Sequence, residues 1–173
     1  MLSLKRALAG LAVLVAVGTA LAAQDVSLGG KKAKTPSGWK EEAPANQMRY
    51  AQFKLPKVDG DDADAELVVF KGLGGSADAN IDRWKGSFAK GVDAKITEYS
   101  GPLGKGKMID AKGTYLYKSQ PFNPNAKAEE KPGYSMLGLH VEGDAVYHIR
   151  LTGPTKTVSK HREAFEGWLK SFQ

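Results

Sequence analysis

Two apolar runs near the C-terminus, Tyr134–Val141 and Ala145–Thr152, flank Glu142-Gly143-Asp144 and read as a β-hairpin. This hairpin constrains the fold more than any other feature. With Gly143-Asp144 as a two-residue turn, His140 faces Tyr147. One face then carries Tyr134, Met136, His140, Tyr147, Ile149 and Leu151; the other carries Leu137, Leu139, Val141, Val146, His148 and Arg150. Both faces are substantially apolar, whereas a sheet wet on one side alternates more cleanly. Such a sheet needs cover on both sides.

Two amphipathic helices can supply it. Ser76 is a plausible N-cap with Asp78 in the first turn, and Ala77, Ile81, Trp84 and Phe88 fall at helical spacing as far as about Lys90, before Gly91. The last helix covers about Thr155–Phe172, with Val158, Phe165, Trp168, Leu169 and Phe172 as its buried stripe. One helix on each face gives an α+β fold: a three-layer α/β/α sandwich on a mainly antiparallel sheet, with Trp84 and Trp168 against opposite faces.

Upstream, Met48–Leu55 reads as a strand stopped by Pro56, and Ala65–Phe70 as a central strand. Lys95–Tyr99 and Lys107–Tyr117 add two more. Ser119–Gly133, with Pro121, Pro124 and Pro132, reads as an excursion loop.

The N-terminus carries an address. Lys5-Arg6 precedes an apolar run from Ala7 to Val17, small residues close it at Ala20-Leu21-Ala22-Ala23, and no acid occurs before Asp25. These are the marks of a cleaved signal peptide over residues 1–22, with Ala23 as a one-residue alternative. The reading is extracytoplasmic, periplasmic or secreted, with no transmembrane segment after cleavage. Removing 22 of 173 residues leaves 151, enough for one core, and losing Lys5 and Arg6 lowers the formal charge from +6 to +4. Residues 23–37 have little to bury and read as a flexible leader, with a single sandwich domain over 38–173. The chain has no cysteine, which excludes disulfides, zinc–thiolate sites, a thiol nucleophile and a lipid-modified cysteine.

The order of elements, and the ending Gly143-Asp144-Ala145-Val146-Tyr147 followed by a helix closing in Trp168-Leu169-Lys170-Ser171-Phe172, resembles the PsbP-like sandwich. That fold is known from the extrinsic subunit of the oxygen-evolving complex and from a small nuclear-transport factor. The chain also resembles uncharacterised exported bacterial proteins of similar length. That resemblance lies in Met48–Pro56, Ala65–Phe70, Gly74-Gly75-Ser76 through Asn80-Ile81-Asp82-Arg83-Trp84, Lys131–Tyr134 and Leu151–Pro154. It implies fold and export and assigns no activity.

The chemistry-bearing residues are few. In the two-residue register His140 and His148 point to opposite faces and cannot share an ion unless a bulge intervenes, and His161 lies at the edge of the last helix's stripe. Asp59, Asp61, Asp62 and Asp64 fail the calcium-loop pattern at Ala63 and Asp64, leaving an acidic turn. No G-x-S-x-G and no P-loop is present. Gly72-Leu73-Gly74-Gly75-Ser76 meets G-x-G-x-x-G only with Ala77 in the third slot. It sits where a helix N-terminus can hold an anion, although Asp78 opposes one. Asn80 and Arg83 form a polar edge beside Trp84, suited to an anion or a carboxylate, or to packing over that ring. Tyr115 and Tyr117 beside Lys112 and Lys118 carry no nucleic-acid signature.

The expectation is an exported, non-catalytic domain that binds a protein or envelope partner, without cofactor, metal or nucleic acid. Its candidate contacts are Gly74, Gly75, Ser76, Asn80, Arg83 and the proline-flanked Phe122. The alternative is a small-ligand or anion-binding domain using the Gly72–Arg83 corner; an unrecognised hydrolase comes third. The sequence sets no oligomeric state.

Overall fold

A computed structural model describes residues 23–119, 123 and 125–173. The expected signal peptide, residues 1–22, lies outside them, and so does Phe122. The strands are β1 (Asp25–Leu28), β2 (Lys31–Lys34), β3 (Lys40–Glu42), β4 (Arg49–Leu55) and β5 (Ala65–Lys71), followed by helix α1 (Ala77–Lys85). Then come β6 (Asp93–Gly101), β7 (Gly104–Tyr117), β8 (Glu129–Glu142), β9 (Val146–Pro154) and helix α2 (Thr155–Lys170). Strands β3 to β9 make one seven-stranded antiparallel sheet in the order β3-β4-β5-β9-β8-β7-β6. No described helix is long and apolar enough to cross a membrane.

Burial on β8 alternates between the helices. Leu137, Leu139 and Val141 join Ile149, Leu151 and the α2 residues Phe165 and Trp168 in one cluster, while Met136 joins Ile81, Trp84, Ile109 and Ala111 in another. One helix therefore covers each face, with Trp84 and Trp168 both buried. The α1 layer comes so close that a methyl group at Gly138 would meet the Trp84 ring at 2.8 Å. Only glycine leaves that ring room to lie on the sheet.

Four expectations are corrected. Residues 25–34 are not a flexible leader: β1 and β2 form a separate hairpin. Val26, Leu28 and Ala33 alternate into the α2-side core, and backbone bonds tie Lys32 to Gln173. Two short strands with three apolar side chains cannot stand alone, but they gain stability by completing a core built elsewhere.

The β8–β9 turn has three residues, Gly143-Asp144-Ala145, since Glu142 pairs with Val146 and His140 with His148. This moves β9 by one residue, gathering the apolar side chains on the α2 face and the polar ones on the other.

Helix α1 stops at Gly86 rather than near Lys90. The chain then runs extended against β7, with Phe88 bridging Tyr115.

The excursion loop is shorter than Ser119–Gly133, because β8 already pairs at Glu129 with Tyr117. Pro132 and Gly133 sit inside β8 opposite the Gly113/Tyr115 register shift. A bulge is where a strand tolerates a residue without an N–H.

The acidic turn braces α2. Pro154 precedes that helix without a side-chain cap bond, and Asp61 Oδ2 accepts from Thr157 N at 2.9 Å and Thr157 Oγ1 at 2.6 Å. A carboxylate at a helix N-terminus satisfies orphan donors and complements the dipole. Asp64 Oδ1 accepts from Lys57 N at 2.9 Å, closing the turn.

Candidate functional site

The Gly72–Arg83 corner is one connected cluster. Ser76 Oγ accepts from Ala79 N at 3.2 Å, and the buried Asn80 donates through Nδ2 to Ser76 O at 2.9 Å and Gly75 O at 3.2 Å. Gly75 holds φ +98°, a conformation that other residues rarely adopt. Arg83 Nη2 donates to Asn80 Oδ1. Asp78 is engaged by Lys107 Nζ at 2.5 Å, and this contact raises the Lys107 pKa. Gly74, Gly75, Ser76, Asn80 and Arg83 therefore do come together, but the helix's first turn is capped by the chain itself. Asn80 is a strut with both ends of its amide occupied. Arg83 is exposed at the helix edge, with Nη2 held by Asn80.

The three-residue turn makes a feature that the two-residue register hides. His140 and His148 lie side by side on the α1 face, His140 Nδ1 and His148 Nε2 2.8 Å apart, and both are buried. His140 Nε2 lies 2.9 Å from Glu142 Oε1, whose side chain is exposed. A carboxylate only accepts, so His140 carries a proton on Nε2. In the neutral pair its bare Nδ1 accepts from His148 Nε2–H, which leaves the lone pair of His148 on Nδ1. The Trp84 ring stands edge-on to His148 at 5.8 Å. Burial, then His140, Arg83 and Arg150, pull the His148 pKa down to about 4, so His148 is uncharged at physiological pH. Among the described residues no group of three or more His, Cys, Asp or Glu side chains is placed to hold a metal.

Beside the histidines lies a concentration of positive charge. Arg150 on β9 sits over the Phe70 ring at 5.1 Å, paired across the sheet with Val68 and Gly138. Its Nε is sealed from solvent without a hydrogen-bond partner, while the residue keeps partial exposure. No acid pairs with Arg150 or Arg83 among the described residues. Burial lowers the Arg150 pKa. Tyr115 and Glu66 act against that shift, whereas Arg49 and Arg83 reinforce it. Arg49 already has partners, Glu66 Oε1 at 2.6 Å and Gln52 Oε1 at 2.8 Å, so Glu66 is committed. Three guanidinium groups thus stand against one acid. Burial also raises the Tyr115 pKa, keeping a neutral phenol at the edge of this patch.

The arginines come from β4, α1 and β9, so no local motif could have announced them. The histidine pair had a usable signal: of the two turn lengths, only the three-residue loop separates apolar from polar residues on the hairpin. Elsewhere His161 is an edge residue, its Nε2 2.9 Å from Pro56 O.

The backbone as a whole matches a solved structure. The solution structure of cyanobacterial PsbP from Synechocystis sp. PCC 6803 superposes with a TM-score of 0.52 at 13% identity, covering 94% of this chain and 98% of that one. The fold is PsbP-like. No family model matches the chain, and no curated protein does. At this identity the likeness to PsbP speaks for the fold alone.

Proposed function

We propose that this PsbP-like protein is an exported binding domain without a catalytic centre of its own, and that its α1 face receives a single carboxylate or similar oxyanion group from a protein partner. One observation carries the reading: Arg150, its Nε sealed and unpartnered, lies near Arg49 and Arg83 with Glu66 already taken. A partly buried cation without a counter-ion is costly to hold, and an incoming oxyanion supplies what is missing. Arg83, exposed on the helix edge, is the natural first contact. The surrounding surface is mixed in charge, with Glu42, Asp78, Asp82 and Glu98 nearby in the fold. That mixture suits one acidic group on a protein better than an extended polyanion. Export rests on the N-terminal pattern of residues 1–23.

Sulfate serves as the probe. In a titration at matched ionic strength against chloride, the Nε–Hε signals of Arg49, Arg83 and Arg150 should move with a saturable profile. Uniform, non-saturating drift over all arginines would reject the site. Intact-mass analysis of the native protein should show loss of 22 or 23 residues; a chain starting at Met1 would reject export.

A further inference from the structure

The histidine pair lies beside the arginines on the α1 face, His148 two residues from Arg150 along β9, and the proposed function gives it nothing to do. We propose that the two form one site that binds an oxyanion and a proton together, with His148 as the group that takes the proton. The inference rests on the oxyanion reading above and adds its regulation.

The hydrogen-bond chain decides where the proton goes. Glu142 fixes the proton of His140 on Nε2, and with Nδ1 of that ring bare His148 donates to it through Nε2. The one ring nitrogen that can accept another proton without breaking the chain is His148 Nδ1. With the shared proton kept on His148 Nε2 the result is a doubly protonated His148 that still donates to His140, so the change needs no rearrangement of the core.

The charges around the pair decide when. From β9 comes Arg150, from α1 Arg83, and from β8 Glu142. Strand β7 places Lys107 opposite His140, where it is bound to Asp78 and lies 4.0 Å from Glu98. From β5 the neighbour is the uncharged Phe70. With the arginines bare, burial opposes a charge on His148 first, then the neighbouring His140, and Arg83 and Arg150 add to both. An oxyanion on these two groups cancels their repulsion and supplies an attraction of its own, so protonation and anion binding reinforce each other. By linkage the same coupling makes the affinity for the anion climb as pH falls through the interval between the free and bound pKa values of His148.

The test uses the whole protein and sulfate, which does not titrate in this range. Imidazole signals of His148 are followed against pH with and without saturating sulfate, chloride replacing sulfate at equal ionic strength. The midpoint should rise by about one unit or more when sulfate is bound, and sulfate affinity should about double between pH 7 and pH 5 and climb toward roughly tenfold as pH falls past 4. Arg150→Met, measured without sulfate, should raise the His148 midpoint as well, because it removes one of the opposing charges. His148→Gln keeps an N–H for His140 and should make sulfate affinity independent of pH. If the arginine signals respond to sulfate while the His148 midpoint stays put, the coupling is refuted and the oxyanion reading stands. If sulfate moves neither, the oxyanion reading fails and the coupling fails with it. The wild-type titration decides the matter even if a variant does not fold.

Discussion

The two faces of the sheet are built from the same strands, yet they do opposite things. The α2 face is mainly apolar: Leu137, Leu139, Val141, Ile149 and Leu151 are fully buried under Phe165, Trp168 and Leu169, the β1–β2 hairpin seals the edge, and the one acid beside Leu137, Asp110, is paired with Arg162 of α2. The α1 face interrupts its smaller apolar cluster with His140, His148, Arg150 and Asn80. Side chains one residue apart on β8 and β9 thus serve stability on one side and hold unpaired charge on the other. The α2 face spends its area on burial, and the other gives up stability to hold polar groups, which the proposed function assigns to a ligand. Mutations should reveal this asymmetry.

The largest effect belongs to the α2 face. Trp168→Ala should cost on the order of 3–5 kcal/mol by urea unfolding, since the ring packs edge-on against Trp39 at 5.7 Å and Phe172 at 5.0 Å. A melting point within a degree or two of wild type would show that this face does not carry the fold.

Next comes pH. With its folded pKa near 4 against an ordinary 6.5, His148 binds a proton more readily in the unfolded chain. Its contribution is therefore complete above pH 6.5 and lost as pH falls toward 4, on the order of 3 kcal/mol in all. His148→Gln should flatten the stability curve over that interval, while Trp168→Ala should lower it in parallel. Equal slopes for His148→Gln and wild type would mean that His148 is not buried neutral.

How much of this could be read beforehand is uneven, for physical reasons. Helix stripes and sheet cover were legible because Ile81 with Trp84, and Phe165 with Trp168 and Leu169, repeat at the helical period within a few residues. The hairpin was legible from its turn, and its register only from the segregation of apolar and polar residues that the three-residue loop produces. A single residue in the loop decides whether His140 meets His148 or Tyr147, and propensity does not count loop residues. Val26, Leu28 and Ala33 looked too few to order a segment, because their stability comes from Trp168 and Phe172 far along the chain. Arg83 was visible as a polar edge of α1. Arg49 and Arg150, separated from it in sequence, became its neighbours only through the sheet order β4-β5-β9.

A smaller effect should come from Asp61. Asp61→Ala removes the acceptor for Thr157 at the start of α2 and should cost about 1 kcal/mol by thermal or urea unfolding. No change would mean that water replaces the carboxylate there.

The smallest effect on the free protein is also the most telling. The account holds that the Arg150 charge is kept for a ligand and adds nothing to the fold, so Arg150→Met, which retains the apolar stem over Phe70, should melt within about 1 kcal/mol of wild type or above it. Sulfate, at ionic strength matched with chloride, should raise the melting temperature of wild type and leave the variant unmoved. A variant that melts far below wild type, yet is stabilised by sulfate to the same degree, would contradict the account.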